Sequence, residues 1–307
     1  MTTQSVPEPY RQSQVMEPAA ISPIHRFFWL IRRELYEYRI LYIVPLVAAQ
    51  LFLIGFVIHT LVLRRRMQDL WPLPAHSHQA LALPFEISSG LIMGTALLVG
   101  LYYSLETLYG ERRDRSILFW KSLPVSDLET VLSKFTIPLV VIPLFSFAVT
   151  IVTQLVMLLL GSLVLVGSGA NIAEIWRQSS FFQLSLTIFY HIVTVHGLWY
   201  APIYGWLFLV SAWSRRAPLI WAVLPPFVIC GVERIAFNSK HFLTLIEERF
   251  LGSQVQPSAA PAGASMDMGS QLIPAHFFAE PGLWIGLVIT AVFLAIAVRL
   301  RRSQGPI

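Results

Sequence analysis

The chain has 307 residues, 55% of them hydrophobic and only 13% charged, with a net charge of +5 and a mean hydropathy of +0.63. Soluble domains carry roughly 25% charged residues, so this composition excludes an ordinary water-soluble fold. The basic excess lies beside apolar runs, where it orients a chain in a bilayer, so no nucleic-acid partner is expected. The single cysteine, Cys230, excludes an intrachain disulfide framework and a cysteine-based metal site.

Residues 1–21 hold no apolar core; they read as a disordered tail and not as a signal peptide. Ser22 and Pro23 then mark a helix start. Over residues 22–39, Ile24, Phe27, Phe28, Ile31, Leu35 and Tyr38 share one helical face, opposite Arg26, Arg33 and Glu37. That pattern predicts an amphipathic helix lying in the membrane interface.

Charge-free apolar runs long enough to cross a bilayer follow. They predict an all-α, polytopic membrane protein with six transmembrane helices, at about 40–63, 87–105, 135–160, 182–211, 217–236 and 281–298. Arg64, Arg65 and Arg66 close the first. Small residues in the second, "SSGLIMGTALLVG", would admit a neighbouring helix closely. Pro138 and Pro143 would kink the third. The fifth is short and carries Pro225 and Pro226 at its centre, so a break or a re-entrant turn is expected there. An external loop, 237–280, contains one short helix, "HFLTLIEERF", and a Ser/Ala/Pro/Gly linker. Residues 303–307 form a tail.

Six spans put both termini on one side. With that side cytoplasmic, 15 of the 22 Lys and Arg residues lie inside, in keeping with the positive-inside bias. Arg64 to Arg66 oppose it and would have to snorkel to outer head groups. Residues 106–134 then form the long cytoplasmic connection. Within it, Arg115 to Leu123 reads as a short helix ended by Pro124. Ser126 and Glu129 form a capping box for the helix leading through Lys134.

The stretch "LYGERRDRSILFWKSLPVSDLETVLSK" resembles the cytoplasmic loop of the permease subunits of ATP-binding-cassette transporters of the second exporter class (ABC-2 type). The layout of residues 22–302 is similar to that family's transmembrane domain; the sharper sequence resemblance is confined to the loop. The resemblance implies a coupling helix that enters a cleft on a separate ATPase subunit. Ile117, Leu118, Phe119, Trp120, Leu123, Pro124, Ser126, Asp127 and Leu128 would carry it. It also implies a second permease subunit, as homodimer or heterodimer, and a substrate path between the two within the plasma membrane, such as a bacterial inner membrane. The family's substrates include drugs, peptides, lipids, polysaccharides and ions, so none is selected.

No G-x-x-x-x-G-K-[ST] run occurs, so ATP and magnesium are expected in the partner and no cofactor or enzymatic activity in this chain. Other readings are a stand-alone ion-gradient transporter and a membrane anchor that recruits a soluble protein. The first would show an internal repeat and several buried ionisable residues, whereas no repeat is found and the spans read as almost free of charge. Glu233 and Arg234, after the fifth span, are the candidates for a substrate path. His191 and His196 lie five residues apart, about 140° on an α-helix, a poor arrangement for a shared metal ion. His76 and His78 read as a solvated loop. Trp176, Phe181, Phe182, Trp199 and Trp206 fit interfacial aromatic belts.

Overall fold

Without water to satisfy its peptide groups, an apolar run in a bilayer has a local solution only as a helix. The computed structural model describes residues 22–67, 77–165, 181–251 and 274–305, and among them it holds helices and no strand. α1 is Pro23–Glu37, α2 Ile40–Met67, α3 Ser77–Arg113, α4 Ile117–Ser122 and α5 Asp127–Thr136. A π-helical stretch, Ile137–Val141, joins α5 to α6, Ile142–Leu165. A second one, Ile192–Trp199, joins α7, Phe181–His191, to α8, Ala201–Trp213. Then come α9, Pro218–Phe237, α10, His241–Leu251, α11, Pro274–Ala279, and α12, Pro281–Ser303.

Five segments are long and apolar enough to cross a membrane: Ile40–Val62, Leu83–Arg113, Asp127–Leu163, Pro218–Phe237 and Pro281–Ser303. The pair Ser185–Trp199 and Ala201–Trp213, bent by 43°, makes a sixth if it is one span. The chain is therefore an all-α, multi-pass membrane protein. The N-terminal tail, His76, Trp176 and residues 252–273 of the 237–280 loop, which include the Ser/Ala/Pro/Gly linker, lie outside the described residues, as do the side chains of Arg64, Arg65, Arg66 and His78.

The discontinuity expected in the fifth span occurs in the fourth instead. There the π-helical stretch meets Pro202, one residue into α8, and the axis turns at Tyr200. α9 runs unbroken through Pro225 and Pro226. A proline leaves the carbonyl four residues earlier without its helical donor. For Pro226 that carbonyl is Ala222 O, and the Trp206 indole N–H donates to it at 3.0 Å. A neighbouring helix thus supplies the missing hydrogen bond, as spans with internal proline require.

The core is centred on Tyr103, Ile137, Tyr204 and Phe208. α8 lies against α12 where Gly205 meets Thr290, and a Cβ at Gly205 would stand 3.3 Å from the Thr290 Cα. In α3 the close approach is at Gly100, beside the Tyr204 ring and Pro138, whereas Gly90 and Gly94 face open space. Among the glycines of "SSGLIMGTALLVG", only Gly100 sets a close approach, while Ser88 and Ala96 are buried along the same stretch.

Candidate functional site

α1 turns Glu34 and part of Arg33 inward together with Ile31, Leu35 and Tyr38, so the expected apolar face is divided. Ser22 and Pro23 open it as expected, although the Ser22 hydroxyl makes no capping bond. Ile24, Phe28, Trp29 and Tyr36 are exposed, while Glu34, on the same face as Arg33 and Glu37, is 1% exposed.

Those ions form a cluster shared by four helices. Lys134 Nζ donates to Glu34 Oε1 at 2.7 Å and to Thr107 Oγ1 at 3.0 Å, and lies 3.2 Å from Glu111 Oε1. Tyr103 donates to the other Glu34 oxygen at 2.7 Å. Arg33 lies 3.5 Å from Glu111, and Arg301 Nη2 donates to Glu111 Oε2 at 3.0 Å. Arg301 also pairs with Asp127. Glu34, Glu111 and Asp127 thus balance Arg33, Lys134 and Arg301 at the meeting of α1, α3, α5 and α12. Breaking one partner of such a buried group costs about 3–5 kcal/mol, because the other charge is left dry and alone. Arg112 extends the cluster, donating to Ser211 O at 3.1 Å, to Ser214 O and to Gln304 Oε1. It thereby satisfies carbonyls that the end of α8 leaves without a donor. At the margin, burial first and the Glu34 charge second push the Glu37 carboxyl above the usual carboxylate range.

Beyond the cluster the chain reverses. α3 ends at Arg113, and Arg115, at φ 60°, turns it into α4. The expected short helix is present, confined to Ile117–Ser122. The capping box forms as expected: Glu129 N donates to Ser126 Oγ at 3.1 Å, and Ser126 N donates to Glu129 Oε2 at 3.0 Å.

The predicted coupling residues separate by side. Ile117 is 1% exposed and faces inward. The Arg33 guanidinium lies over the Trp120 ring at 3.5 Å, and Lys121 Nζ donates to Gln304 O at 3.0 Å. Pro124 O accepts from Arg26 at 3.2 Å, Ser126 caps α5, and Asp127 holds Arg301. Leu118 and Phe119, at 58% and 59% exposure, point outward with Leu123 and Leu128. The outward side is apolar; the inward side is fixed to α1 and to the end of α12.

No family model, curated protein or solved structure matches this chain.

The other candidates lie elsewhere. The Glu233 carboxylate accepts from Ser239 Oγ at 2.6 Å and from the His241 and Phe242 amides at 2.8 and 2.9 Å. It caps the start of α10, and Arg234 is exposed beside it. Arg249 of α10 stacks on Trp199 at 4.1 Å and donates to Trp199 O and Gly282 O, pinning α10 to the bend of the fourth span. Phe182 is exposed. The 140° separation of His191 and His196 does not hold, because that part of the helix is π. Closing i to i+5 stacks residues five apart, and the two rings lie 5.7 Å apart. Among the described residues no three metal-ligating side chains gather.

The ion cluster corrects the reading of spans almost free of charge: Glu34, Glu111, Lys134 and Arg301 are buried ionisable residues of the kind an ion-gradient transporter would show. Its only trace in the sequence is a charged residue at the margin of each of four apolar runs, a position that reads equally well as membrane orientation.

Proposed function

We propose that the chain is the membrane-spanning permease subunit of an ABC-2-type exporter, working with a separate ATPase subunit on the cytoplasmic side. The observation that carries this reading is the two-sided α4. Leu118, Phe119 and Leu123 are uncovered, while Ile117 is buried, Trp120 lies under Arg33 of α1 and the exposed Lys121 is tied to Gln304 at the end of α12. Exposed apolar groups beyond the charged margin of a span stand in water, where a contiguous patch marks an interaction site. A rigid attachment behind the patch is what force transmission needs.

In this reading the ATPase grips Phe119 and Leu123, and its closure on ATP displaces α4 and α5. Lys134 and Arg301 both contact Glu111, so the displacement reaches α3 and α12 as a change of ion partners. Access then switches from one side to the other. A second permease subunit completes the transporter, and the substrate path runs between the two copies. Energy comes from the partner's ATP and magnesium; this chain contributes docking, transmission and the path. The membrane is the plasma membrane, with both termini inside.

The test is purification of the tagged chain from its native membrane, with Phe119→Asp/Leu123→Asp beside the wild type. These positions are chosen because Trp120 is engaged by Arg33 and would disturb α1. The wild type should bring down a soluble subunit carrying a G-x-x-x-x-G-K-[ST] loop, and the double variant should lose it while remaining inserted. Retention of that subunit by the variant, or its absence from the wild type, contradicts the assignment.

A further inference from the structure

A cavity of about 360 Å³ opens where α1 meets the starts of α2 and α6. Its walls are apolar, including Leu35, Leu41, Ile142 and Phe145, and its rim carries Arg32 and Tyr36. The volume is that of a small-ligand pocket. It is large enough for part of one hydrocarbon chain, and below the rim its walls are apolar apart from Tyr42.

The rim is charged in a way its neighbours are not. Arg33, the next residue, is consumed by Glu34, Glu111 and Trp120. Arg32 meets no carboxylate among the described residues; its guanidinium donates to the Tyr36 hydroxyl at 3.3 Å and lies 5.0 Å from the Trp29 ring. Most of its five N–H donors are unused. α1 presents Phe28, Trp29 and Tyr36 outward, which sets this face at the level where aromatic residues meet headgroups. An uncompensated guanidinium at that depth, directly above an apolar cavity, is complementary to a molecule with an anionic phosphate at one end and hydrocarbon at the other.

We propose that this cavity is a binding site for a single anionic phospholipid, with its phosphate on Arg32 and Tyr36 and one acyl chain between α1 and α6. A zwitterionic lipid carries its own cation and gains less from Arg32. A free phosphate lacks the chain that the cavity takes. The site is independent of any partner assignment, since it needs only α1, α2 and α6.

Native mass spectrometry of the purified chain tests it, using phosphatidylglycerol and phosphatidylcholine of identical chains as probes. One phosphatidylglycerol should stay bound in preference to phosphatidylcholine, and Arg32→Gln should weaken it about five- to tenfold, the worth of one interfacial cation. Arg39→Gln, an exposed interfacial cation outside the cavity, should leave it unchanged. Leu35→Trp, which fills the cavity and keeps Arg32, should lose the lipid also, and supplies the answer if Arg32→Gln does not fold. Equal retention of both lipids, an unaffected Arg32→Gln or Leu35→Trp, or displacement by inorganic phosphate would overturn the site.

Discussion

The α4 end of the bundle and α9 solve the problem of exposure in opposite ways. Around α4 the ions are inside and several large apolar side chains are outside. On α9 apolar side chains point every way, and only 6% of its spanning window is buried within the chain. Exposed Phe227 or Ile235 costs nothing against lipid tails, which are as apolar as the protein. On the proposed reading, exposed Phe119 stands in water past the charged margin of its span, where the same exposure costs what burial would have gained, about 25 cal/mol per Å². The difference teaches that apolar exposure is informative only where water is the alternative.

The comparison breaks most visibly at Lys134. Lys134→Met removes the buried cation that Glu34 and Glu111 share, leaving two carboxylates close together in a buried site, and should cost about 3–5 kcal/mol, whereas Phe227→Ala on α9 should stay within about 0.5 kcal/mol. Thermal unfolding of both variants in the same detergent checks the contrast; comparable losses would show that α9 is as tightly packed as the cluster.

A smaller effect sharpens the electrostatic half. The folded Glu37 carboxyl holds its proton to higher pH than the unfolded one, through burial and the Glu34 charge. Its contribution to stability is therefore complete below the ordinary value near 4.5 and is lost as pH rises through the raised value. Glu37→Gln should gain stability over the wild type near neutral pH, and the gain should vanish in acid. Thermal midpoints of both forms, recorded between about pH 4 and pH 8, read this directly. A constant difference across that range would contradict it.

What was legible in the sequence follows the range of the forces involved. The apolar segments could be read because hydrocarbon demands a length, and the Ser126–Glu129 box because its partners lie three residues apart. The ion cluster could not: Lys134 finds Glu34 a hundred residues away, and nothing local distinguishes it from an orienting charge. The break was placed at Pro225 and Pro226 because proline removes a donor, but Trp206 heals that site from another helix. The histidine spacing misled because π geometry is invisible in a pattern built on 3.6 residues per turn. Of the nine residues that the resemblance names between 117 and 128, only packing separates Leu118, Phe119, Leu123 and Leu128, which are exposed, from those that anchor the segment.

The orientation of α4 carries the functional account, and it is measured by placing a cysteine at Ser122, which is exposed, in a Cys230→Ser background. A membrane-impermeant maleimide added to intact cells should leave it unlabelled and should label it once the membrane is opened. Labelling in intact cells would put α4 outside, beyond the reach of any ATPase, and would contradict the account.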